Sequence, residues 1–379
     1  MIPLPATLNP HDPDLAAQIA ETPNHPGVYV LTPEHGVPYL GSSAYLRKRL
    51  VRLLLHNSHP SNSRSNIANS FSRAEYWSTG SRLETSLLLY WLALRHYPDN
   101  YRKRLKLKDP WLLTLLNDEF PRLAIQNRLT VSRAASFGPF PNREAAERVH
   151  QGTISLFQIR RCEDKLVPSE HHPGCIYGEM NLCLRPCQLA VSAAEYATEV
   201  SRLSEFLLSN GRHAMAILTS ARDRASHETD FEQAARLHKE LEKVKAVTTL
   251  RNDLVTEIES LNGLALTRAT GHGRVALWPM FSGFWQPPLV LEFAQEQMQA
   301  RSLDQHLRER LASHLAEPRV TGNRSEELAI LARWYYSSWR DGQWFGFRTL
   351  ADLNVRKLVR EISLQARASE AETKIQCDE

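Results

Sequence analysis

Two short apolar runs separated by a sharp turn, and followed at once by a basic helical segment, place the tightest constraint on the fold of this 379-residue chain. From residue 26 to about 105, hydrophobic period and turn formers predict the order strand, turn, strand, helix, loop, strand, helix. The corresponding segments are GVYVL, EHG, VPYLG, AYLRKRLVRLLL, HNSHPSNSRSN, AEYWS and SRLETSLLLYWLALRHY. This order predicts a small α/β domain.

Changes of pattern along the rest of the chain predict an α/β and α protein with several compact units, which its length also favours. The expected divisions are an N-terminal arm (1–24), the α/β domain (25–105), a connector with a cysteine cluster (106–191), a helical region (192–256), a small α+β region (257–366) and a disordered tail (367–379). The longest apolar run, 86–94, is well short of the ~20 residues that cross a bilayer. The N-terminus shows no secretory signal pattern, so we expect a cytoplasmic protein with no membrane partner.

Basic residues are concentrated in one part of the chain, although the net charge is only +4. Between Arg47 and Arg133 there are 16 Lys and Arg against 6 Asp and Glu, a local surplus of ten. Such a surplus attracts polyanions by counterion release, which favours nucleic acid as a partner. A solvated basic face without a ligand is the simpler alternative.

Four of the five cysteines lie within 26 residues and have the spacing C-x12-C-x7-C-x3-C. They are Cys162, Cys175, Cys183 and Cys187. Disulfides are rare in the cytoplasm, and four thiols at this density can hold zinc or an iron–sulfur cluster. The spacing matches no standard zinc finger, so chance clustering of buried thiols stays open, and His171 and His172 are alternative ligands.

A second motif lies in the helical region, where residues 229–232 form a capping box in front of the helical run QAARLHKELEKVKAV. Apolar side chains then follow heptad spacing at Ala234, Leu237, Leu241 and Val244. A helix pair with this stripe buries it within the hairpin or against another helical chain. From the residues alone, packing within the chain is the default.

The order of these motifs over about 26–250 resembles the N-terminal half of the UvrC family of nucleotide excision repair nucleases and of the shorter, related Cho proteins. The segments that carry the resemblance are PGVY, YLG, LRKR, KLKDP, FPRL, FGPFPNREAAERV, LFQIRRC, CLRPC, EYATEVSRLSEFL and DFEQAARLHKEL. The resemblance implies a GIY-YIG nuclease domain, then a [4Fe-4S] centre on the four cysteines, with zinc as the alternative. It also implies a UVR helical hairpin that docks on UvrB.

By the same resemblance, Tyr39 is implied to deprotonate or orient the attacking water, Tyr29 to support it, and Arg49 to stabilise phosphate charge, in a site that uses one Mg²⁺. Without the resemblance, core packing of the two tyrosines and a solvated Arg49 are the simpler interpretations. The hairpin residues assigned to partner binding are Phe231, Glu232, Ala235, Leu237 and Leu241.

The sequence departs from the family pattern at three positions. Ser42 stands where the family usually has a lysine, and Leu53 where it has a second active-site tyrosine. At the position of the metal-binding glutamate the chain has Leu89, or Tyr90 if the register slips by one residue. The family's asparagine position correspondingly holds Tyr101 or Asn100.

Two nearby carboxylates are candidates to replace the missing glutamate. Glu84 lies five residues before Leu89, which points its side chain roughly 140° away on a helix, and Glu75 lies in the neighbouring strand. A Mg²⁺ site depends on one or two carboxylates, so the sequence indicates an impaired nuclease site.

We therefore expect a UvrC-like DNA repair protein that binds damaged double-stranded DNA and UvrB, and that incises on the 3′ side of a lesion if its site is active. A catalytically inactive DNA- and partner-binding module with an iron–sulfur or zinc centre is the alternative. A redox sensor built on the cysteine centre is a third interpretation.

Overall fold

The computed structural model describes residues 2–55, 71–129, 135–292, 303–316 and 318–377. The predicted loop over 56–66 lies outside the described residues. Within them the protein is a mixed α/β chain with three separate sheets. The described helices include none that combines the length and the apolar character needed to cross a membrane.

The first sheet is antiparallel and has the strand order β1-β4-β2-β3. Its elements are β1 (Ala6–Leu8), α1 (Leu15–Glu21), β2 (Gly27–Pro33), β3 (Tyr39–Ser43), α2 (Leu46–Leu50), which continues into a π-helical turn (Val51–Leu55), β4 (Phe71–Ser78), α3 (Arg82–His96) and α4 (Tyr101–Leu105). The predicted strands and helices are all present. The predicted first helix is shorter than expected, because its second half is the π-helical turn.

Strand β2 is buried on both faces because it lies inside the sheet with helices on either side. One face joins a cluster of Val28, Val30, Trp77, Leu88 and Leu92. The opposite face joins a cluster that includes Leu8, Leu15, Ile19, Tyr29, Leu31, Leu46 and Leu50. The predicted N-terminal arm therefore supplies an edge strand, β1, and part of this core through Leu8, Leu15 and Ile19.

The second sheet has the order β6-β5-β7-β8 and carries a set of helices. Its elements are β5 (Trp111–Leu115), β6 (Leu123–Gln126), β7 (Ser136–Phe140), α5 (Arg143–Ile154), α6 (Ile176–Glu179), α7 (Ala193–Ser209), α8 (Arg212–His227), α9 (Phe231–Thr248) and β8 (Thr256–Glu257). A capping box of Ser192 and Glu195 begins α7. The side chain of Asp230 begins α9 by accepting a hydrogen bond from the Gln233 amide at 3.0 Å.

The third sheet has the order β11-β10-β9-β13, and β12 also pairs with β10. Its elements are β9 (Asn262–Arg268), β10 (Arg274–Phe281), β11 (Phe284–Trp285), β12 (Leu289–Glu292), α10 (Leu303–Ala316), α11 (Arg324–Tyr335), β13 (Gly342–Phe347) and α12 (Val355–Cys377). Strand β13 was not predicted. The helix α12 extends through residues 367–377, the segment for which the sequence predicted a disordered tail.

The chain divides into two compact units that do not follow the predicted divisions. The first unit combines Met1–Lys108 with Asn262–Gly322 and Arg333–Glu379, and the second combines Asp109–Leu261 with Asn323–Ala332. Within the first unit, Gly80 lies so close to the third sheet that an added Cβ would meet the Ala269 carbonyl carbon at 2.3 Å. The first and third sheets therefore form one folded unit.

Candidate functional site

Two tyrosines and an arginine, the three residues named as catalytic candidates from the sequence, lie close together at the edge of the first sheet. The ring of Tyr29 on β2 is 1% exposed, whereas that of Tyr39 on β3 is 44% exposed. Their ring centroids are 6.1 Å apart. Arg49, on α2, donates from Nε to the Tyr29 hydroxyl at 3.0 Å. The three side chains form one cluster, open to solvent at Tyr39.

A glycine makes room for this cluster. Gly41 is the cross-strand partner of Tyr29, and a Cβ at position 41 would lie 2.5 Å from the Tyr29 hydroxyl oxygen. Any larger residue at this position displaces the phenol. The GIY-YIG-like segment YLG thus has a packing reason for its glycine.

Burial and hydrogen bonding set the protonation of the cluster. Burial raises the pKa of Tyr29, and the hydrogen bond from Arg49 opposes this only in part. The same bond to Tyr29 raises the pKa of Arg49. At neutral pH the cluster therefore presents a neutral buried phenol beside a fixed positive charge.

The position of the family glutamate is apolar in the structure. Leu89 is half-buried on α3 and packs against the cluster that contains Val28, Val30 and Trp77. With the register shifted by one residue, the position is held by Tyr90, which is buried. The rings of Tyr90 and Tyr101 lie edge to face, with their centroids 6.2 Å apart. Neither register brings a carboxylate to this site.

Neither of the two alternative carboxylates reaches the tyrosine cluster. Glu84 accepts a hydrogen bond from the Gly80 amide at 2.7 Å, and burial raises its pKa to about 7. Glu75 pairs with Val30, one position along from the pair of Tyr29 and Tyr76, so alternation places it on the opposite face of the sheet from Tyr29. Glu75 also forms an ion pair with Arg73 at 2.8 Å.

The two other departures from the family pattern remove the lysine ammonium group at position 42 and the tyrosine hydroxyl at position 53. Ser42 is exposed and too short to hold a distant phosphate as a lysine does. Leu53, in the π-helical turn, packs against the core cluster that contains Tyr29 and Leu46. The tyrosine–arginine cluster is therefore retained, while its predicted surroundings are changed.

The four cysteines line one small pocket in the second unit, and all four are free thiols. Cys183 and Cys187 are buried. Burial raises the pKa of Cys183 to about 11 and also raises the pKa of Cys187. The Cys183 sulfur accepts a hydrogen bond from the Arg185 amide at 3.4 Å. The pocket lining does not include either of the alternative histidine ligands.

The pocket presents four sulfur donors. Such a set suits either a zinc ion or an iron–sulfur cluster. As the side chains stand, no three His, Cys, Asp or Glu residues in the described part of the chain are arranged to hold a single metal ion.

The predicted hairpin is present as α8 and α9, but its residues differ in exposure. Phe231 at the start of α9 is 70% exposed, and Glu232 and Ala235 are also exposed. Leu237 is half-buried, and Leu241 is only 2% exposed. The first turns of α9 are therefore accessible to a partner, whereas Leu241 supports the hairpin itself.

Comparisons with known proteins match one part of the chain to a described family. Residues 110–206, which include the four cysteines and most of α7, match the family described as UvrC/Cho excinuclease, middle domain. Over these residues the chain is similar to that family. No solved structure matches the chain.

The curated relatives point to one particular protein of this family. Each of the following is named UvrABC system protein C. The protein of Dehalococcoides mccartyi (strain CBDB1) is 29% identical over 238 residues, which are 62% of this chain and 39% of the relative. That of Moorella thermoacetica is 28% identical over 275 residues, 71% of this chain and 43% of the relative. That of Alcanivorax borkumensis is 29% identical over 250 residues, which are 64% of this chain and 41% of the relative. The chain thus spans about two fifths of the length of these relatives.

Proposed function

We propose that the chain acts in nucleotide excision repair by binding damaged double-stranded DNA and a UvrB-like protein through a GIY-YIG-like domain and a UVR-like hairpin. The relatives' names support the process, since each is a component of a UvrABC system. The observation that carries the proposal is the cluster of Tyr29, Tyr39 and Arg49. It combines an accessible phenol, a neutral buried phenol and a fixed cation, which together suit a phosphodiester group.

Exposed Lys and Arg side chains at the end of the first α/β domain support DNA as a partner. Four of them lie in and just after α4, at Lys103, Arg104, Lys106 and Lys108. Contacts of this kind position a protein on the phosphate backbone without reading sequence. A repair protein that meets many sequences needs this property.

The described residues do not fit the Mg²⁺ ion that the family uses. The position of its glutamate is Leu89, Glu84 caps its own helix, and Glu75 faces away from Tyr29. We therefore derive no hydrolytic step through a metal, and we infer that incision on the 3′ side of a lesion is impaired. The apolar setting of Leu89 favours a second candidate function, a non-cleaving module that binds DNA and its protein partner.

A nicking assay with a restored carboxylate separates these two functions. The anaerobically purified protein is incubated with a lesion-bearing duplex preloaded with UvrB, in Mg²⁺ or Mn²⁺, and nicks are read on a denaturing gel. The variants are Tyr39→Phe, Leu89→Glu and, as a matched control without charge, Leu89→Gln. We expect weak or absent nicking by the native chain and a metal-dependent gain in Leu89→Glu alone, because a carboxylate raises divalent-metal affinity.

Each other outcome has a defined meaning. Nicking by the native chain that Tyr39→Phe abolishes shows an active nuclease. Binding to DNA with no nicking in either the native chain or Leu89→Glu shows a non-cleaving module. If neither the duplex nor the UvrB-loaded duplex is bound, the proposed function is wrong.

We also propose that the four cysteines hold a [4Fe-4S] cluster, with zinc as the alternative, because the pocket brings four free thiols together and the family resemblance implies this cofactor. The cluster would cross-link segments that are otherwise poor in regular structure, and its binding energy would contribute to folding. The Arg185 amide, already directed at the Cys183 sulfur, would stabilise a ligating thiolate.

The cluster is tested by purifying the protein without oxygen and measuring iron, sulfide, zinc and the visible spectrum. We expect a brown native protein and a bleached, less stable Cys183→Ala variant, since removing one of four ligands opens the site. Cys377→Ala is the matched control, because this cysteine lies outside the cluster in sequence. A colourless native protein with stoichiometric zinc would show that the assignment is wrong.

A further inference from the structure

A tyrosine that follows α3 contacts the backbone on both sides of Tyr39. The hydroxyl of Tyr97 donates a hydrogen bond to the Pro38 carbonyl and accepts one from the Leu40 amide at 3.1 Å. The Tyr97 side chain is only 5% exposed. One buried hydroxyl thus joins the residues immediately before and after the accessible phenol.

The position of β3 in the sheet explains why these bonds matter. Strand β3 is at the edge of the sheet as far as the structure describes it, and it pairs there with β2, with Tyr39 opposite Leu31. The outer side of an edge strand has backbone groups with no ladder partner, and such strands are less constrained. Tyr97 satisfies a carbonyl and an amide there without adding a strand. It fixes the backbone from which the Tyr39 ring projects.

The ring of Tyr97 is itself held in place. The Arg104 guanidinium lies 3.9 Å from the centroid of the Tyr97 ring, and Arg104 donates from Nε to the Asn100 side-chain oxygen at 3.1 Å. A cation this close to an aromatic face is attracted by the ring. A stacked arginine from the basic α4 therefore supports the hydroxyl that holds β3.

We propose that Tyr97 is a positioning residue for Tyr39, which it acts on by bridging Pro38 and Leu40. The proposal rests on the proposed function, in which Tyr39 meets a DNA phosphate. Tyr97 itself does not meet the DNA, because its hydroxyl is buried and both of its bonds go to backbone groups. The substitution that removes only this bridge is Tyr97→Phe.

Another tyrosine in the chain offers a matched control. Tyr196, in the second unit, is also buried, and its hydroxyl also links two backbone groups. It donates to the Pro121 carbonyl at 2.8 Å and accepts from the Arg160 amide at 2.9 Å. Tyr196→Phe removes the same chemistry at a place unrelated to Tyr39, so it reports any general loss of stability.

The first readout is amide hydrogen exchange in the native full-length chain and both variants. Loss of a hydrogen bond contribution of typical size speeds local exchange about tenfold. We expect that acceleration at the Leu40 amide in Tyr97→Phe and not in Tyr196→Phe. Unchanged protection of Leu40 in Tyr97→Phe would overturn the proposal, whether or not the protein cleaves DNA.

The second readout uses ¹³C-labelled tyrosine, with Tyr39→Phe to assign the ring signal. If the proposed function is right, adding a lesion-bearing duplex shifts the Tyr39 signal in the native chain. We then expect a smaller shift and broader signal in Tyr97→Phe, with duplex affinity changed less than twofold, since phosphate contacts of exposed cations are retained. An unchanged Tyr39 response in Tyr97→Phe would overturn the positioning role. No response in the native chain would instead show that the proposed function of Tyr39 is wrong.

Discussion

Glu84, one of two carboxylates near the position of the family glutamate, takes part in capping α3. It is the third residue of α3, where its amide donates to the Ser81 hydroxyl at 3.1 Å and its carboxylate accepts from the Gly80 amide. This is the arrangement of a helix N-cap, in which side chains satisfy amides that have no partner in the first turn. The carboxyl is buried, and burial raises its pKa to about 7.

The raised pKa makes the stability of the protein depend on pH in a defined direction. A carboxyl group with a folded pKa of about 7 and an ordinary value of 4.5 binds a proton more tightly when folded. Its stabilising effect is therefore complete below pH 4.5 and is lost as the pH rises through 7. At about 1.4 kcal/mol for each unit of pKa, the loss amounts to about 3 kcal/mol.

Glu84→Gln is expected to remove this dependence while keeping an acceptor for the Gly80 amide. The measurement is the unfolding midpoint of both proteins between pH 4 and pH 8. The variant should gain stability relative to the native chain as the pH rises, with the largest change between pH 5 and 7. A difference between the two proteins that does not vary with pH would contradict the burial of this carboxyl.

At the scale of elements, the hairpin of α8 and α9 separates buried residues that hold the fold from exposed residues that we propose for partner binding. Leu241, Val244 and Val247 are buried along α9, whereas Phe231 is exposed where the helix begins. An exposed phenyl ring on a helix tip is typical of an interface anchor. The second half of the predicted apolar stripe is therefore packed within the protein.

Two substitutions in α9 are therefore expected to have opposite effects. Leu241→Ala should destabilise the protein by about 2–5 kcal/mol, because it leaves a cavity in a buried contact. Phe231→Ala should leave stability within about 0.5 kcal/mol and weaken UvrB binding at least tenfold. Chemical unfolding and a titration of labelled UvrB provide the measurements. Val320→Ala, at a position 60% exposed and outside the hairpin, is the control. Equal UvrB affinity in Phe231→Ala would show that the helix tip is not the interface.

Elements with a strong local pattern were predictable, and contacts between distant residues were not. The alternating segments GVYVL and VPYLG became β2 and β3, and the 3.6-residue pattern after Ser81 became α3. Strand β13 was missed because glycines interrupt GQWFGF, which weakens a strand pattern. The two tyrosines and the arginine of the candidate site were found through the family resemblance. The hydrogen bonds of the Tyr97 hydroxyl could not be predicted, because its partners lie 57 and 59 residues away in sequence.

At the scale of the whole molecule, the first unit is assembled from distant segments of the chain. The carboxylate of Asp341 accepts hydrogen bonds from the Arg82 amide, at the start of α3, and from the Trp334 indole nitrogen at 3.0 Å. The Arg82 guanidinium also lies 5.4 Å from the centroid of the Trp339 ring. These contacts join the start of α3, beside the first sheet, to the third sheet, a link that spans 259 residues of sequence.

Asp341→Ala is expected to loosen the first turn of α3 as well as the region around Trp334. Hydrogen bonds to charged groups contribute about 1.5–3 kcal/mol, so a loss of about 2 kcal/mol is expected. Amide hydrogen exchange over residues 82–85 measures the loosening of the first turn of α3. Asp304→Ala is the control, because that exposed carboxylate only pairs with Arg308 on its own helix. Unchanged exchange over 82–85 in Asp341→Ala would show that the two sheets are not coupled through this residue.

The close approach of Gly80 to Ala269 also sets an order of events during synthesis. Residues 1–108 leave the ribosome while their partner sheet, which begins at Asn262, has not been made. With roughly 150 residues between them and translation at 5–20 residues per second, the delay is roughly 10–30 s. During that time the first sheet and its helices have neither Ala269 nor Asp341 to cover the start of α3. The first unit is thus completed late, after the cysteine-containing unit has been synthesised.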